Sequence, residues 1–293
     1  MPEFTRNGVT LNYEVSGPER GRPLLLIMGL GMQRVAWPKA FVEALVGHGF
    51  RVISFDNRDV GLSTRYDNHP VPGLGAMLAA RVFGRGMALP YSLADLAADA
   101  FNLLDHLGIA AAHVLGISMG GMIAMHMAAR NPKRVPSLTL MATSSGALGL
   151  PPPRASVMRV AMGRPAPNAD SEAAVEYMVR MFTAIGSPAF PLDADAIRQR
   201  ASRQALRAPR GTGLYRQMAA IAADGDRSNL VRQIKAPTLI IHGSVDPMVP
   251  PAHGRQLARL IPHARLEQIE GWGHDLPDAL APRFAALVDE VAR

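Results

Sequence analysis

A chain of 293 residues with 48% apolar and 19% charged residues can bury a large core, and at this size one domain carrying an insertion is expected rather than two domains. It holds no cysteine, which excludes a disulfide framework, a thiolate zinc site and a cysteine nucleophile. The formal charge of +7 rests on 31 basic residues, of which 28 are arginine, but no nucleic-acid motif or aromatic interleaving accompanies them, so no nucleic-acid partner is expected.

The chain opens with strand patterns: EFTR, an Asn7-Gly8 turn, the alternating VTLNYEV, and after SGPERGR the continuous apolar run PLLLIM. Alternation predicts a half-solvated antiparallel edge, and the continuous run a strand covered on both faces. The longest apolar stretch, PLLLIMGLGM, falls far short of a membrane span. The N-terminal residues lack the apolar core of a signal peptide, so a cytoplasmic protein without a membrane partner is expected.

From there helix and strand alternate. VAWPKAFVEALVGHG reads as a helix ended by glycine and RVISFD as a buried strand. SLADLAADAFNLLDHLG reads as an amphipathic helix capped by Ser92 with Asp95 three residues on, followed by the strand AAHVLGI. MGGMIAMHMAARNP is read as a helix stopped by Pro132, VPSLTLMATS as a strand, and PTLIIHGS, PPAHGRQLARLIP, ARLEQIEG and APRFAALVDEVAR as strand, helix, strand, helix. The pattern predicts a mostly parallel sheet with helices on both faces.

Two stretches interrupt it. Residues 64–91 form a long connection with its own short apolar helix, and residues 146–227, entered through the prolines 151–153, carry three or four helical segments and no strand. The expected division is a core of residues 1–145 and 228–293 with a helical cap at 146–227. Within the cap, Arg200, Arg203 and Arg207 share a helical face, read as solvated surface rather than a seat for an acidic ligand.

Gly116-Ile117-Ser118-Met119-Gly120 matches Gly-x-Ser-x-Gly and falls between a predicted strand and a predicted helix. A sharp turn there strains the serine backbone and pushes its hydroxyl above the sheet edge, while Gly116 and Gly120 let strand and helix nearly touch beneath it. The hydroxyl needs a base. Of nine histidines, His113, His126 and His242 sit inside predicted strands or helices and read as core residues, whereas His274 in EGWGHDLP follows the last strand on a glycine-bounded loop. His253 and His263 are the fallback bases. Asp246 in IIHGSVDPMVP is the matching acid, because no acid occurs from Ser137 through Gly149 and Asp275 is read as a cap or surface residue. Backbone N–H donors for an oxyanion are expected from Met119 and, in the turn IMGLGMQ, from Leu30, with Gly29 and Gly31 freeing the backbone.

With these placements the chain resembles the α/β-hydrolase superfamily over nearly its whole length. FDNRDVGLST is similar to that family's Asp-x-Arg-Gly-x-Gly-x-Ser loop, and the stretch from Pro247 to Pro277 to its usual ending. The branch it resembles most contains aclacinomycin methylesterases. Two departures stand out: Met28 replaces a histidine that often precedes the oxyanion glycine, and Asp59 replaces the loop's first glycine. Asp56 and Arg58 are read as pairing within that loop, beneath the site. The resemblance implies an α/β-hydrolase fold with an eight-stranded, mostly parallel sheet and an inserted helical cap.

Ser118, Asp246 and His274 predict a serine carboxylester hydrolase working through an acyl-enzyme on an apolar or aromatic small-molecule ester, without cofactor or metal. Methionines and aromatics in VMRVAM, VEYMVRMF and LYRQMAAIAA supply cap core and cleft wall. Acyl transfer, perhydrolysis and carbon–carbon bond hydrolysis use the same residues and stay open, as do a ligand receptor on this scaffold and the choice between monomer and homodimer.

Overall fold

The structure is a computed structural model that describes residues 2–83, 86–165, 170–208 and 211–293. Strands β1 (Glu3–Arg6), β2 (Val9–Ser16), β3 (Arg22–Ile27), β4 (Phe50–Phe55), β5 (His113–Ile117), β6 (Leu138–Met141), β7 (Thr238–Gly243) and β8 (Arg265–Ile269) form an eight-stranded sheet ordered β1-β2-β4-β3-β5-β6-β7-β8. β2 pairs antiparallel with β1 and β4, and every other neighbour is parallel. The α/β-hydrolase fold expected from the sequence is the fold observed.

Helices are α1 (Lys39–Gly47), α2 (Leu74–Phe83), α3 (Leu93–His106), α4 (Met119–Arg130), α5 (Ala155–Met162), α6 (Ser171–Ile185), α7 (Ala194–Arg207), α8 (Gly213–Asp224), α9 (Ser228–Val231), α10 (Ala252–Leu260) and α11 (Ala281–Val291). None among the described residues is long and apolar enough to cross a membrane. α3 begins in the predicted capping box, with Ser92 Oγ accepting from Asp95 N–H and the Asp95 carboxylate accepting from Ser92 N–H. The helix expected from Val35 is split: a 3₁₀ turn spans Arg34–Ala36 and α1 starts at Lys39. Pro38 is the cause, since a residue before proline is pushed out of the helical region and Trp37 is extended.

The period of two along the strands explains the continuous apolar runs. In β3, Leu25 and Ile27 enter a core on one face with α3 and α4, while Leu24 and Leu26 enter a second core on the other face with Phe41 and Leu45 of α1 and Phe284 and Val288 of α11. Each such side chain is buried to within 1% of full exclusion, which contributes about 1.5–3 kcal/mol apiece. The order β4-β3-β5 reverses chain progression between β3 and β5, and the carboxyl ends of strands flanking such a switch point open a crevice.

Between β6 and β7 lie helices α5 to α8, with a small core of their own around Val175, Tyr177, Met178 and Ala201. The arginine face of α7 is not the solvated surface expected. Arg207 donates to Asp56 (2.6 Å), Asn12 (2.6 Å) and Gln33 (2.8 Å), and Arg200 to the Leu276 carbonyl (2.8 Å) and Asp278 (2.8 Å). Arg203 alone of the three is exposed. Hydrophobic patterning cannot separate these cases, because a guanidinium reaches buried acceptors as readily as water.

Candidate active site

Ser118 lies at the end of β5 with φ 55° and ψ −120°, a left-handed conformation that side chains rarely adopt. It is held there: its N–H donates to Met141 O (3.0 Å), and its carbonyl accepts from Gly121 N–H (3.0 Å) and Thr143 Oγ1 (2.6 Å). The flanking glycines are required. A Cβ on Gly116 would sit 2.2 Å from Gly120 O, and one on Gly120 2.0 Å from Ile27 O. Strand and helix do nearly touch beneath the serine.

The turn after β3 runs beside it. A Cβ on Gly29 would lie 3.2 Å from Ser118 Cβ and 3.8 Å from Oγ. Met32 N–H donates to Gly29 O (3.2 Å), and Gly31 has φ 67°, the pattern of a type II turn with glycine at its third position. Among the described residues, the N–H groups of Leu30 and Met119 are engaged by no protein acceptor. Met28, where the resemblance leads one to expect histidine, is buried in an apolar cluster, and its carbonyl accepts from Asn57 Nδ2 (3.2 Å).

Asp246, in the loop after β7, is fully buried, and its Oδ1 accepts from the N–H groups of Met248 (2.9 Å) and Val249 (2.8 Å). Its Oδ2 lies 2.7 Å from His274 Nδ1, so the ring donates through Nδ1 and leaves Nε2 as the free base position. The His274 backbone N–H donates to Ile185 O (2.8 Å) at the end of α6. The structure thus brings Asp246 and His274 together, whereas no hydrogen bond joins His274 to Ser118. Such contacts are often long before substrate binds.

Four of the other histidines are engaged elsewhere. His113 bonds Ser137 Oγ (2.8 Å) and His126 bonds Asp224 (3.0 Å). His242 donates through Nε2 to Val249 O (2.7 Å), and burial lowers its pKa. Both nitrogens of the fallback His253 are occupied, by Ser144 Oγ (2.7 Å) and Pro151 O (2.9 Å), and burial lowers its pKa as well. Asp275, expected as a cap or surface residue, is instead buried, its carboxylate accepting from Ser187 Oγ, and burial raises its pKa. It faces the segment after α6, as a neighbour of His274 in sequence that points away from it.

The loop after β4 also differs from expectation. Asp56 and Arg58 do not pair with each other: Asp56 accepts from Arg34 N–H (2.7 Å), Leu62 N–H (3.0 Å) and Arg207, while Arg58 clamps Asp99 through two 2.6 Å hydrogen bonds. Asp59 takes φ 69° and binds Arg216 of α8 with both oxygens at 2.8 Å. Burial opposes its ionisation, but Arg216, Tyr91 and the Tyr66 N–H together hold its carboxyl below the usual range. The sequence reading missed Thr143, Asn57, Gln204, Arg216 and Gln217, polar residues that brace these loops.

A family model described as the alpha/beta hydrolase fold matches residues 22–278. Two rhodomycin D methylesterases, DauP of Streptomyces sp. (strain C5) and DnrP of Streptomyces peucetius, are each 33% identical over 97% of this chain and 95% of their own. A hydrolase of Pseudomonas aeruginosa with a solved structure shares 28% identity at a TM-score of 0.73, covering 99% of this chain and 97% of its own. The match across most of the sequence and the likeness of fold agree: the chain belongs to the α/β-hydrolase fold family, and its resemblance to the methylesterase branch is borne out.

Proposed function

We propose that the protein is a serine carboxylester hydrolase in which Ser118 is the nucleophile, His274 the base and Asp246 its orienting acid. The observation that carries this reading is Ser118 held at positive φ between glycines that admit no Cβ, on the same sheet edge as a buried Asp246–His274 pair.

Ser118 Oγ attacks the ester carbonyl as His274 Nε2 takes its proton, and Asp246 stabilises the imidazolium. The resulting oxyanion is met by the N–H groups of Leu30 and Met119, at the N-terminus of α4, whose dipole favours the charge. Collapse returns the proton to the departing alkoxide and leaves an acyl-enzyme. Water, activated by His274, then releases the acid and restores the serine. Helices α5 to α8 act as the cap. The methionines and aromatics carried by the cap sequence favour an apolar or aromatic acid, and the names of the relatives make its methyl ester the first substrate to test.

A fluorophosphonate probe should label Ser118 stoichiometrically in a protein that turns over short p-nitrophenyl and aromatic methyl esters. Ser118→Ala should lose labelling and all but the residual rate, a drop of roughly 10⁴-fold or more. Turnover within about tenfold of the parent would remove Ser118 from the mechanism.

A further inference from the structure

The peptide that presents Leu30 N–H is gripped on both sides by side chains outside its own turn. On one side Asn57 donates to Met28 O (3.2 Å). On the other, Gln217 of α8, fully buried, accepts from Gly31 N–H (2.9 Å) and donates to Arg58 O (3.0 Å). Gln204 of α7 adds a third hold, accepting from Gln33 N–H (3.3 Å) while its carbonyl accepts from the Gln33 amide (2.7 Å). The helix is seated closely: a Cβ on Gly31 would lie 2.5 Å from Leu214 Cδ1, and one on Gly213 would lie 2.2 Å from Asp59 O.

In a turn of this type the central peptide can swing about its two neighbours at small steric cost when the third residue is glycine. That central peptide joins Leu30 to Gly31, and the hydrogen bond from Gly31 N–H fixes its plane and the ψ of Leu30. The preceding peptide, which carries Leu30 N–H, is thus flanked by two held neighbours, Met28–Gly29 by Asn57 and Leu30–Gly31 by Gln217. We propose that Gln217 is a positioning residue for the oxyanion turn, making the donor geometry at Leu30 depend on the seating of α8. This rests on the esterase reading above. Gly31 N–H is taken by Gln217, while the N–H of Leu30 has no protein acceptor among the described residues.

The effect belongs to the transition state rather than to substrate binding, because the donor matters most when negative charge forms. Gln217→Met keeps length and removes both hydrogen bonds. It should lower kcat about 10- to 100-fold with KM within about twofold of the parent. A trifluoromethyl ketone, which forms an oxyanion on Ser118, should lose affinity in step with kcat/KM, while the matching methyl ketone binds as before. Gln217→Glu, whose buried carboxylic acid has the same shape and can accept from Gly31 and donate to Arg58, should recover most of the rate. If Gln217→Met does not fold, Gln217→Asn, one methylene too short to reach Gly31, carries the same expectation. Unchanged kcat and ketone affinity, or a loss confined to KM, overturns the positioning role while parent turnover and Ser118 labelling leave the esterase standing. A parent that neither turns over esters nor takes the probe defeats the esterase reading itself.

Discussion

Asp59 stands where the resemblance leads one to expect glycine, and it keeps the backbone a glycine would use, with φ 69°. Holding an aspartate there costs about 1 kcal/mol, which something must offset. The compensation is its ion pair with Arg216, in which both side chains are fully excluded from solvent. Asp59→Gly would relieve the backbone but leave Arg216 charged and buried, a loss of about 3–5 kcal/mol for a broken buried pair. Asp67, 3.2 Å from Arg216 and itself half exposed, recovers part of that. The expected net loss for Asp59→Gly is about 2–4 kcal/mol, and Arg216→Met should cost a similar amount by stranding Asp59.

The double variant removes both charges and should lose only about 1–2 kcal/mol, so the coupling between the sites is about 2 kcal/mol or more. Urea unfolding followed by the fluorescence of the buried Trp37 and Trp272 reads each variant. Acid supplies an independent check. With its folded pKa below the usual aspartate value, Asp59 contributes stability above about pH 4 that disappears as pH falls further through the folded value. Additive losses, or an Asp59→Gly protein as stable as the parent, would refute the view that Arg216 maintains the left-handed aspartate.

Gly120→Ala drives a methyl group to 2.0 Å from Ile27 O, so the end of β3 must move away from α4; ester turnover should fall at least about 100-fold, and parent-like kcat would contradict the close approach. His113, His242 and His253 are held below the ordinary histidine pKa by burial. Below about pH 6.5 the unfolded chain takes protons that the native state refuses, so stability should fall on acidification by up to about 1.4 kcal/mol per pH unit for each ring. His242→Gln should flatten that slope, and equal unfolding free energies at pH 7.5 and 5.5 in the parent would refute the assignment.

What the sequence makes legible is what periodicity and glycine chemistry encode. The run PLLLIM announces a strand with two dry faces, and Leu24 and Leu25 do enter opposite cores. Gly-x-Ser-x-Gly between strand and helix announces a strained serine, and its φ is 55°. Asp246 and His274 are found by their places after successive strands, and they meet at 2.7 Å. The inward face of α8 is illegible by the same reasoning. In LYRQMAAIAAD the apolar positions suggest a core stripe, yet Arg216 and Gln217 are buried with Ala219 and Ala220. Their partners, Asp59 and Gly31, lie more than a hundred residues away, and no local pattern names them.

The polar inward face follows from where the insertion sits. At the carboxyl edge of a parallel sheet the strands have ended, and the N–H and C=O groups of their loops no longer have ladder partners. An apolar helix laid across them would strand those groups at a cost of about 1–3 kcal/mol each. Gln217 on Gly31 N–H and Arg58 C=O, Gln204 on Gln33 N–H, and Arg216 on the His69 carbonyl satisfy them instead, while Arg216 also pairs with the Asp59 carboxylate. Hydrogen bonds are directional where apolar contacts are not, so an insertion seated this way cannot slide by an ångström and keep its energy. A gap wide enough to admit substrate would therefore open more readily along α5, which has Met158 and Met162 exposed, than along α7 and α8. Replacing Met158 and Met162 by glutamine should then change kcat/KM for bulky esters more than for small ones, while Gln217 variants should depress both alike.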